Sequence, residues 1–385
     1  FEIPEAVFSA WRKVGGKGKS QRRKWAKRHA AMAEADRAEF DRRLAGTIPA
    51  TVGEALAAFK AKVANEKPSW ATRKSSQEAL EVINPILPDT IGGSADLTGS
   101  NNTKTATIKG ASAADASGRY IYYGIREHAM AAAMNGMALH GGVIPYGGTF
   151  MVFSDYMRPA VRLAALMGLP VTYIWTHDSI GVGEDGPTHQ PVEHLAALRA
   201  IPNLTVIRPA DAGETAAAWR VALTALSGPT ALILTRQDVP VLDRTAAQII
   251  NGGDEPLLRG GYIISDAVNP QVIVLASGSE VALALSAQAL LAQQGISARV
   301  VSMASFEIFE QQSAEYRESV LPSSLTARVS VEAGITDPWR RYVGDHGISI
   351  GIDHYGASAA AGVLFEKFGI TAEAVAQAAT QLLSR

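Results

Sequence analysis

The segment from Tyr173 to His194, YIWTHDSIGVGEDGPTHQPVEH, sets His177, Asp178, Glu184, Asp185, His189, Glu193 and His194 in a glycine-rich loop that leaves an apolar strand. Imidazoles and carboxylates this close together can move protons, read hydroxyl groups or ligate a metal. A loop leaving a strand is also where an α/β sheet offers such groups to a ligand, because the sheet is rigid and the loop backbone accessible.

Several readings of this loop compete. GVGEDG (181–186) matches G-x-G-x-x-G, but Glu184 and Asp185 would stand where a dinucleotide pyrophosphate needs amide donors and positive potential. Pro187 and Pro191 also delay the helix that should begin inside such a motif. Spacing opposes a metal site, since Pro191 separates His189 from His194 and the pair cannot share a helix face. A loop-built site using His177, Asp185 and His189 stays open. Taken singly, Asp178, Glu193 and His194 read as side chains that satisfy loop backbone. The cluster as a whole does not.

Two further features carry potential chemistry. Glu127, in YGIREHAM, falls at a strand-to-helix junction between Arg126 and His128. There a carboxylate ordinarily complements the helix dipole. Phe150, Phe153 and Tyr156 recur at three-residue spacing in GGTFMVFSDY. Such a stripe packs a core or lines a pocket for a flat heteroaromatic ring.

The elements that must position these groups alternate along the chain. Ser75 is expected to cap a helix running through Leu80. TIGGSAD (90–96), RYIYYG (119–124), VTYIWTHD (171–178), LTVIRPA and TALILTR read as strands. REHAMAAAMNGMAL, FSDYMRPAVRLAALMG, VEHLAALRA and DAGETAAAWRVALTAL read as helices. The near-continuous apolar character of 171–178 is that of a strand buried on both faces. Residues 68–245 therefore form a doubly wound α/β domain. A polar connection follows at 246–261. Alternation resumes over 262–385, with strands QVIVLASGS, SARVVSM, TARVSVEA and GISIGID and helices at 280–295, 358–368 and 371–384. Residues 1–67 form a helical linker that passes from a glycine/lysine turn, KVGGKGK, into a basic and then mixed-charge helix. The expected fold is thus α/β: two doubly wound, mostly parallel-sheet domains preceded by a helical linker.

Composition bounds the function. With 385 residues, 47% hydrophobic and 19% charged, the chain suits two or three globular domains. A net charge of −1 supplies no electrostatic case for nucleic acid or an anionic membrane as partner. The chain has no cysteine, which excludes disulfides and thiolate metal sites and fits a cytoplasmic location. No apolar run reaches membrane-spanning length.

The segments RKSSQ, GGSADLTGSN, YGIREHAM, PYGGTF, THDSIGVGEDGPTHQP and LTRQDVP, in this order, resemble the transketolase family over about 68–245. Residues 262–385 resemble that family's C-terminal domain more loosely. Residues 1–65 resemble the linker after its first domain. The resemblance implies thiamine diphosphate as cofactor and transfer of a two-carbon ketol unit from a ketose phosphate to an aldose phosphate. It implies that Glu127 hydrogen-bonds the cofactor's aminopyrimidine ring and favours the tautomer that removes the thiazolium proton. Phe150, Phe153 and Tyr156 would surround that ring, with Asp96 and Leu97 near the cofactor. His177 and His189 would contact sugar oxygens during proton transfers, and Asp185 would read a hydroxyl. Arg73, Ser100, His177 and Arg236 would hold the sugar phosphate, two guanidiniums suiting a phosphate.

No G-D-G…N motif of the thiamine-enzyme kind occurs in the sequence. The resemblance therefore assigns Mg2+ or Ca2+, and the diphosphate it bridges, to an N-terminal domain on another polypeptide or segment. No metal ligand is expected on these residues. Activity is expected only in the complete enzyme, a homodimer in the family. Two alternatives remain at this stage: the beta subunit of a two-chain 2-oxo acid dehydrogenase, and a non-catalytic partner-binding fragment. Arg73, Ser100 and Arg236 weigh against the dehydrogenase, which has no sugar phosphate to hold.

Overall fold

The computed structural model describes residues 2–224, 228–250 and 255–384. Its centre is a six-stranded parallel sheet in the order Tyr120–Tyr122, Thr90–Ser94, Ile144–Phe150, Thr172–Thr176, Thr230–Leu234, Thr205–Ile207. Every residue of TYIWT (172–176) and TALIL (230–234) is buried, as expected of central strands covered by helices on both faces. The chain moves outward from Thr90–Ser94 to Tyr120–Tyr122, then returns past it to Ile144–Phe150. That reversal puts a topological switch point between those two inner strands, the place where open α/β sheets bind ligands outside their carboxyl ends.

A short antiparallel pair, Trp70–Ala71 with Asp238–Val239, ties the two ends of this domain together. It also decides where the next helix begins. Asp238 Oδ1 accepts from the Ala71 amide at 2.8 Å, and Thr235 Oγ1 accepts from the Thr72 amide at 2.8 Å. The helix therefore spans Thr72–Ile86, and Ser75 is a buried residue of its first turn rather than its cap. Its inner face, Ser76, Ala79, Leu80 and Ile83, packs with Trp219, whose Nε1 donates to Ser76 Oγ at 2.9 Å.

The lead-in segment is more structured than the sequence reading expected. Gly15, Gly16 and Gly18 lie inside one continuous helix, Glu5–Ala30, and not in a turn. Nothing packs on them, so the helix meets only their intrinsic cost of about 1 kcal/mol each. Lysine, arginine and alanine on either side restore it. Trp25 stacks on His29 at 4.9 Å, and His29 meets Phe40 of the helix Glu34–Ala45. A third helix, Ala50–Glu66, buries Val52, Leu56, Phe59 and Val63 in the same core as Leu80, Ile83 and Trp219.

The second sheet has the order Ile348–Ile350, Arg328–Val331, Val272–Ala276, Ala298–Met303, Gly261–Ser265. The last of these is an antiparallel edge that the sequence reading missed. It follows a helix, Thr245–Ile250, and a 3-10 turn, Pro256–Arg259, in the stretch read as a connection. Residues 251–254 of that connection lie outside the described residues. Two short helices, Phe306–Glu310 and Ala314–Val320, were likewise not anticipated. Among the described residues, no helix is long and apolar enough to cross a membrane.

Phe59→Ala should lower unfolding free energy by about 3–5 kcal/mol, the cost of a large cavity in a core. Trp11→Ala, at a side chain 72% exposed, should leave it within about 0.5 kcal/mol. Equilibrium denaturation of both variants checks that Ala50–Glu66 is part of the first domain's core.

Candidate active site

Five of the six parallel strands deliver the chemistry-bearing residues from their carboxyl ends. Ile144–Phe150 ends at Phe150, and Thr172–Thr176 is followed at once by His177. Thr230–Leu234 leads to Arg236, Thr90–Ser94 to Asp96 and Leu97, and Tyr120–Tyr122 to Glu127 at the head of the helix Glu127–His140. The rings then gather. Phe150 and Phe153 stack with centroids 5.8 Å apart and planes 14° apart, and Tyr156 continues the row at 5.8 Å from Phe153. His177 lies against Phe150 at 3.8 Å, and His189 meets Phe150 and Phe153 edge-on at 6.1 and 5.6 Å. Tyr156 remains 66% exposed, so one end of this wall faces solvent. The rings are not consumed by a core.

His177 is held by an arrangement that sequence reasoning did not find. Ser94 Oγ donates to Asn101 Oδ1 at 2.9 Å, and Asn101 Nδ2 donates to Thr176 Oγ1 at 2.7 Å. Thr176 Oγ1 lies 2.8 Å from His177 Nδ1. Asn101 donates to that hydroxyl, whose own hydrogen can be given to Nδ1, an arrangement in which Nε2 carries the ring hydrogen. The His177 backbone has a φ of 66°, left-handed for a non-glycine residue, as often occurs where a turn must aim a functional group. GSN stands in the sequence, but its contact with Thr176 crosses 75 residues and leaves no local signal.

Electrostatics set the same residue apart. Burial, with lesser contributions from Arg73, Arg236 and His189, pushes the His177 imidazole down from 6.5 to about 3, so it is neutral at physiological pH. Arg73 is itself half-buried and donates to the Ser100 carbonyl at 2.7 Å. Burial, and then the like charge of Arg236, lower its pKa. Among the described residues neither guanidinium is ion-paired to a carboxylate. Asp238 offsets part of the lowering at Arg73, and two guanidiniums without an ion pair beside a neutral imidazole still make a local field that attracts an anion.

The other expected residues are placed by topology rather than by contact. Glu127 is buried (7% exposed) and opens its helix without a side-chain cap before it. Asp96 (φ 60°) and Asp185 are exposed, and among the described residues Asp185 makes no hydrogen bond. Asp178 leaves the candidate set, because it is buried and ion-paired to Arg208 at 2.8 Å. The one group with metal-ligand spacing among the described residues is Asp155, Glu193 and His194, two of them exposed. It shares no residue with the loop-built alternative of His177, Asp185 and His189, which draws no support. The whole arrangement is an open face. A cleft of about 250 Å³ lined by Asn203, Thr205, Glu307 and Gln312 shares none of its residues.

A titration should expose the His177 environment. Below 6.5 the unfolded chain takes up a proton that folded His177 refuses, so its contribution to stability falls as pH drops from 6.5 toward about 3. His177→Asn should flatten that part of the stability profile. NMR of the native protein should show the His177 ring neutral at pH 5.

Comparison with known proteins agrees with the geometry. The description "Transketolase, pyrimidine binding domain" matches residues 68–241, and "Transketolase-like TK C-terminal domain" matches 260–371. Transketolase of Cereibacter sphaeroides is 51% identical over 382 residues, covering 99% of this chain and 56% of the relative. A crystal structure of transketolase from Pichia stipitis in complex with sedoheptulose-7-phosphate superposes with a TM-score of 0.90 at 40% identity. That match covers 100% of this chain and 56% of the other. A split-gene transketolase, described as an inactive beta4 tetramer, matches with a TM-score of 0.65 at 26% identity, covering 82% of this chain and 98% of its own. The chain thus spans little more than half the length of the curated relatives it matches. Two family domains in succession, with close relatives over nearly every residue, show that this chain belongs to the transketolase family.

Proposed function

We propose that these residues supply the pyrimidine side of a thiamine-diphosphate-dependent ketol-transfer site. Residues 68–245 form the pyrimidine-binding domain, 262–385 the C-terminal domain, 246–261 their connection and 1–67 the lead-in. The observation that carries this reading is the stacked row Phe150, Phe153 and Tyr156, open to solvent at Tyr156, beside a neutral His177 and two guanidiniums without a carboxylate ion pair among the described residues. Such a wall suits a flat heteroaromatic ring and an anionic sugar together. The two guanidiniums favour this reading over a 2-oxo acid dehydrogenase, whose substrate carries no phosphate.

When bound, thiamine diphosphate supplies the carbanion and the electron sink that breaking a ketose carbon–carbon bond requires. The residues fit its pyrimidine part. Phe150, Phe153 and Tyr156 would pack against the ring and the Glu127 carboxylate would hold a ring nitrogen, with Asp96 and Leu97 near the cofactor. Its diphosphate and the accompanying Mg2+ or Ca2+ would find no matching ligand set among the described residues. They are assigned to a diphosphate-binding domain outside these residues, in the complete enzyme a homodimer.

The chain's remaining groups bind the sugar. Arg73 and Arg236 take the phosphate with charge-assisted hydrogen bonds, the first fixed by Ser100. His177, neutral and with Nδ1 tied to Thr176, offers Nε2–H to a sugar oxygen, where a charged imidazolium beside two arginines would be repelled. His189, on the edge of the same aromatic wall, moves protons at neighbouring oxygens, and Asp185 accepts from a hydroxyl. Sugar phosphates are the substrate class and the cytoplasm the setting.

These 385 residues with thiamine diphosphate, magnesium, a ketose phosphate and erythrose 4-phosphate should give no turnover until a chain carrying the diphosphate-binding domain is added. Turnover by the purified chain alone would contradict the assignment. In the complemented enzyme Arg236→Ala should raise KM for phosphorylated sugars about 10–100-fold, the loss of one charge-assisted contact. An unphosphorylated ketose should show no such change.

A further inference from the structure

The second domain holds none of the groups assigned to chemistry, yet it is in direct contact with the loop that carries them. Gln190 Nε2, buried, donates to the Gly183 carbonyl at 2.8 Å and to the Ala357 carbonyl at 2.9 Å. It thereby closes the loop across Asp185 and fastens it to the segment 353–360. Ser358 Oγ donates to the Glu184 carbonyl. Gly183 (φ 83°) and Gly186 (φ 77°) turn the backbone onto this segment, and a Cβ at Gly186 would stand 3.3 Å from that of Ser358. Before and after the loop, Ile180 and Val192 belong to the hydrophobic core of the second domain, and Ile335 donates its amide to the Val192 carbonyl at 3.2 Å. The loop is thus anchored on the second domain at both ends and at its crest.

A second anchor lies beneath His177. Its neighbour Asp178 pairs with Arg208, whose guanidinium is fully buried and donates to Ser277 O at 2.9 Å and to Glu280. Ser277 and Glu280 belong to the second domain, and Glu280 also accepts from the Ala333 amide at 3.0 Å. The left-handed turn at His177 is therefore fixed on one side by Thr176 in the first domain and on the other, through Asp178 and Arg208, by the second.

We infer that the second domain is the brace that holds the loop 177–190 in its substrate-reading shape, with Gln190, Ser358, Arg208 and Glu280 as positioning residues. The alternative task for this domain, assembling a dimer, requires none of these contacts. The inference deepens the proposed function, since the positioned groups are His177, Asp185 and His189. Its physical content is nonetheless independent of which sugar is bound: the loop loosens when the brace is removed.

Gly356 gives a way to test this from outside the site. It touches no assigned group and its φ is not left-handed, but an added Cβ would fall 1.7 Å from Gln190 Oε1 and displace that side chain. In the full chain, Gly356→Ala should speed hydrogen exchange of the 177–192 amides about tenfold or more while exchange in the strand Thr230–Leu234 stays unchanged. Ser358→Ala, which removes one hydroxyl and cannot clash, should give a smaller acceleration confined to the same loop. In the enzyme complemented with the diphosphate-binding domain, Gly356→Ala should raise sugar-phosphate KM about tenfold and leave thiamine diphosphate affinity unaltered. The pair Gln190→Ala/Gly356→Ala should be no worse than Gln190→Ala alone, because the clash has lost its target. Unchanged loop exchange in both single variants, or additive effects in the pair, would overturn the brace. If the complemented wild-type enzyme transfers no ketol group, the functional reading fails while the exchange measurements still decide the brace.

Discussion

Arg208 is a guanidinium with no exposure to solvent, set between Asp178 of the first sheet domain and Glu280 of the second. Burial alone would discharge it. The two carboxylates reverse that and raise its pKa, so the charge persists inside the protein. Beside it Glu332, also buried, is held down to about 2 despite its burial, chiefly by Arg199, which grips it through two hydrogen bonds of 2.8 Å. Ions removed from water to this degree are stable only with every partner in place, and losing one costs about 3–5 kcal/mol. The consequence is geometric: the two domains have one relative position at this point, and the turn at His177 inherits it.

From that fixed point the site follows in steps. The parallel sheet places its strand ends at a common edge beside the switch point, and the loop after Thr172–Thr176 folds back onto the second domain. The aromatic row reaches solvent at Tyr156, and of the two arginines Arg236 is exposed and Arg73 half-buried. Tyr156, 66% exposed, and Ile125, 81% exposed, are large apolar groups at the surface.

Much of this was legible in the sequence because it is local. TYIWT and TALIL are apolar throughout and could only be central strands. The density of titratable groups in 177–194 singled out that loop as a candidate, whereas the three-residue spacing of Phe150, Phe153 and Tyr156 fitted a core as well as a pocket. What escaped depends on residues far apart. The start of the helix at Thr72 is set by Thr235 and Asp238, so a propensity argument chose Ser75 instead. The edge strand Gly261–Ser265 has its antiparallel partner at Ala298–Met303, and nothing in YIIS announces it. The relay through Asn101 and Thr176, and the burial of Asp178 against Arg208, are likewise products of tertiary structure. Where the helix Glu5–Ala30 overrode three glycines, a run of strong helix formers outweighed a local breaker.

The central claim is that the row Phe150–Phe153–Tyr156, with Glu127 at its helix N-terminus, receives the cofactor's pyrimidine. A crystal structure of this chain assembled with a diphosphate-binding domain and thiamine diphosphate tests it most directly. The account predicts the aminopyrimidine ring packed against Phe150, Phe153 and Tyr156, with a Glu127 carboxylate oxygen about 2.7 Å from a ring nitrogen. A cofactor bound elsewhere on the chain, or a Glu127 carboxylate turned away from that ring, would contradict it.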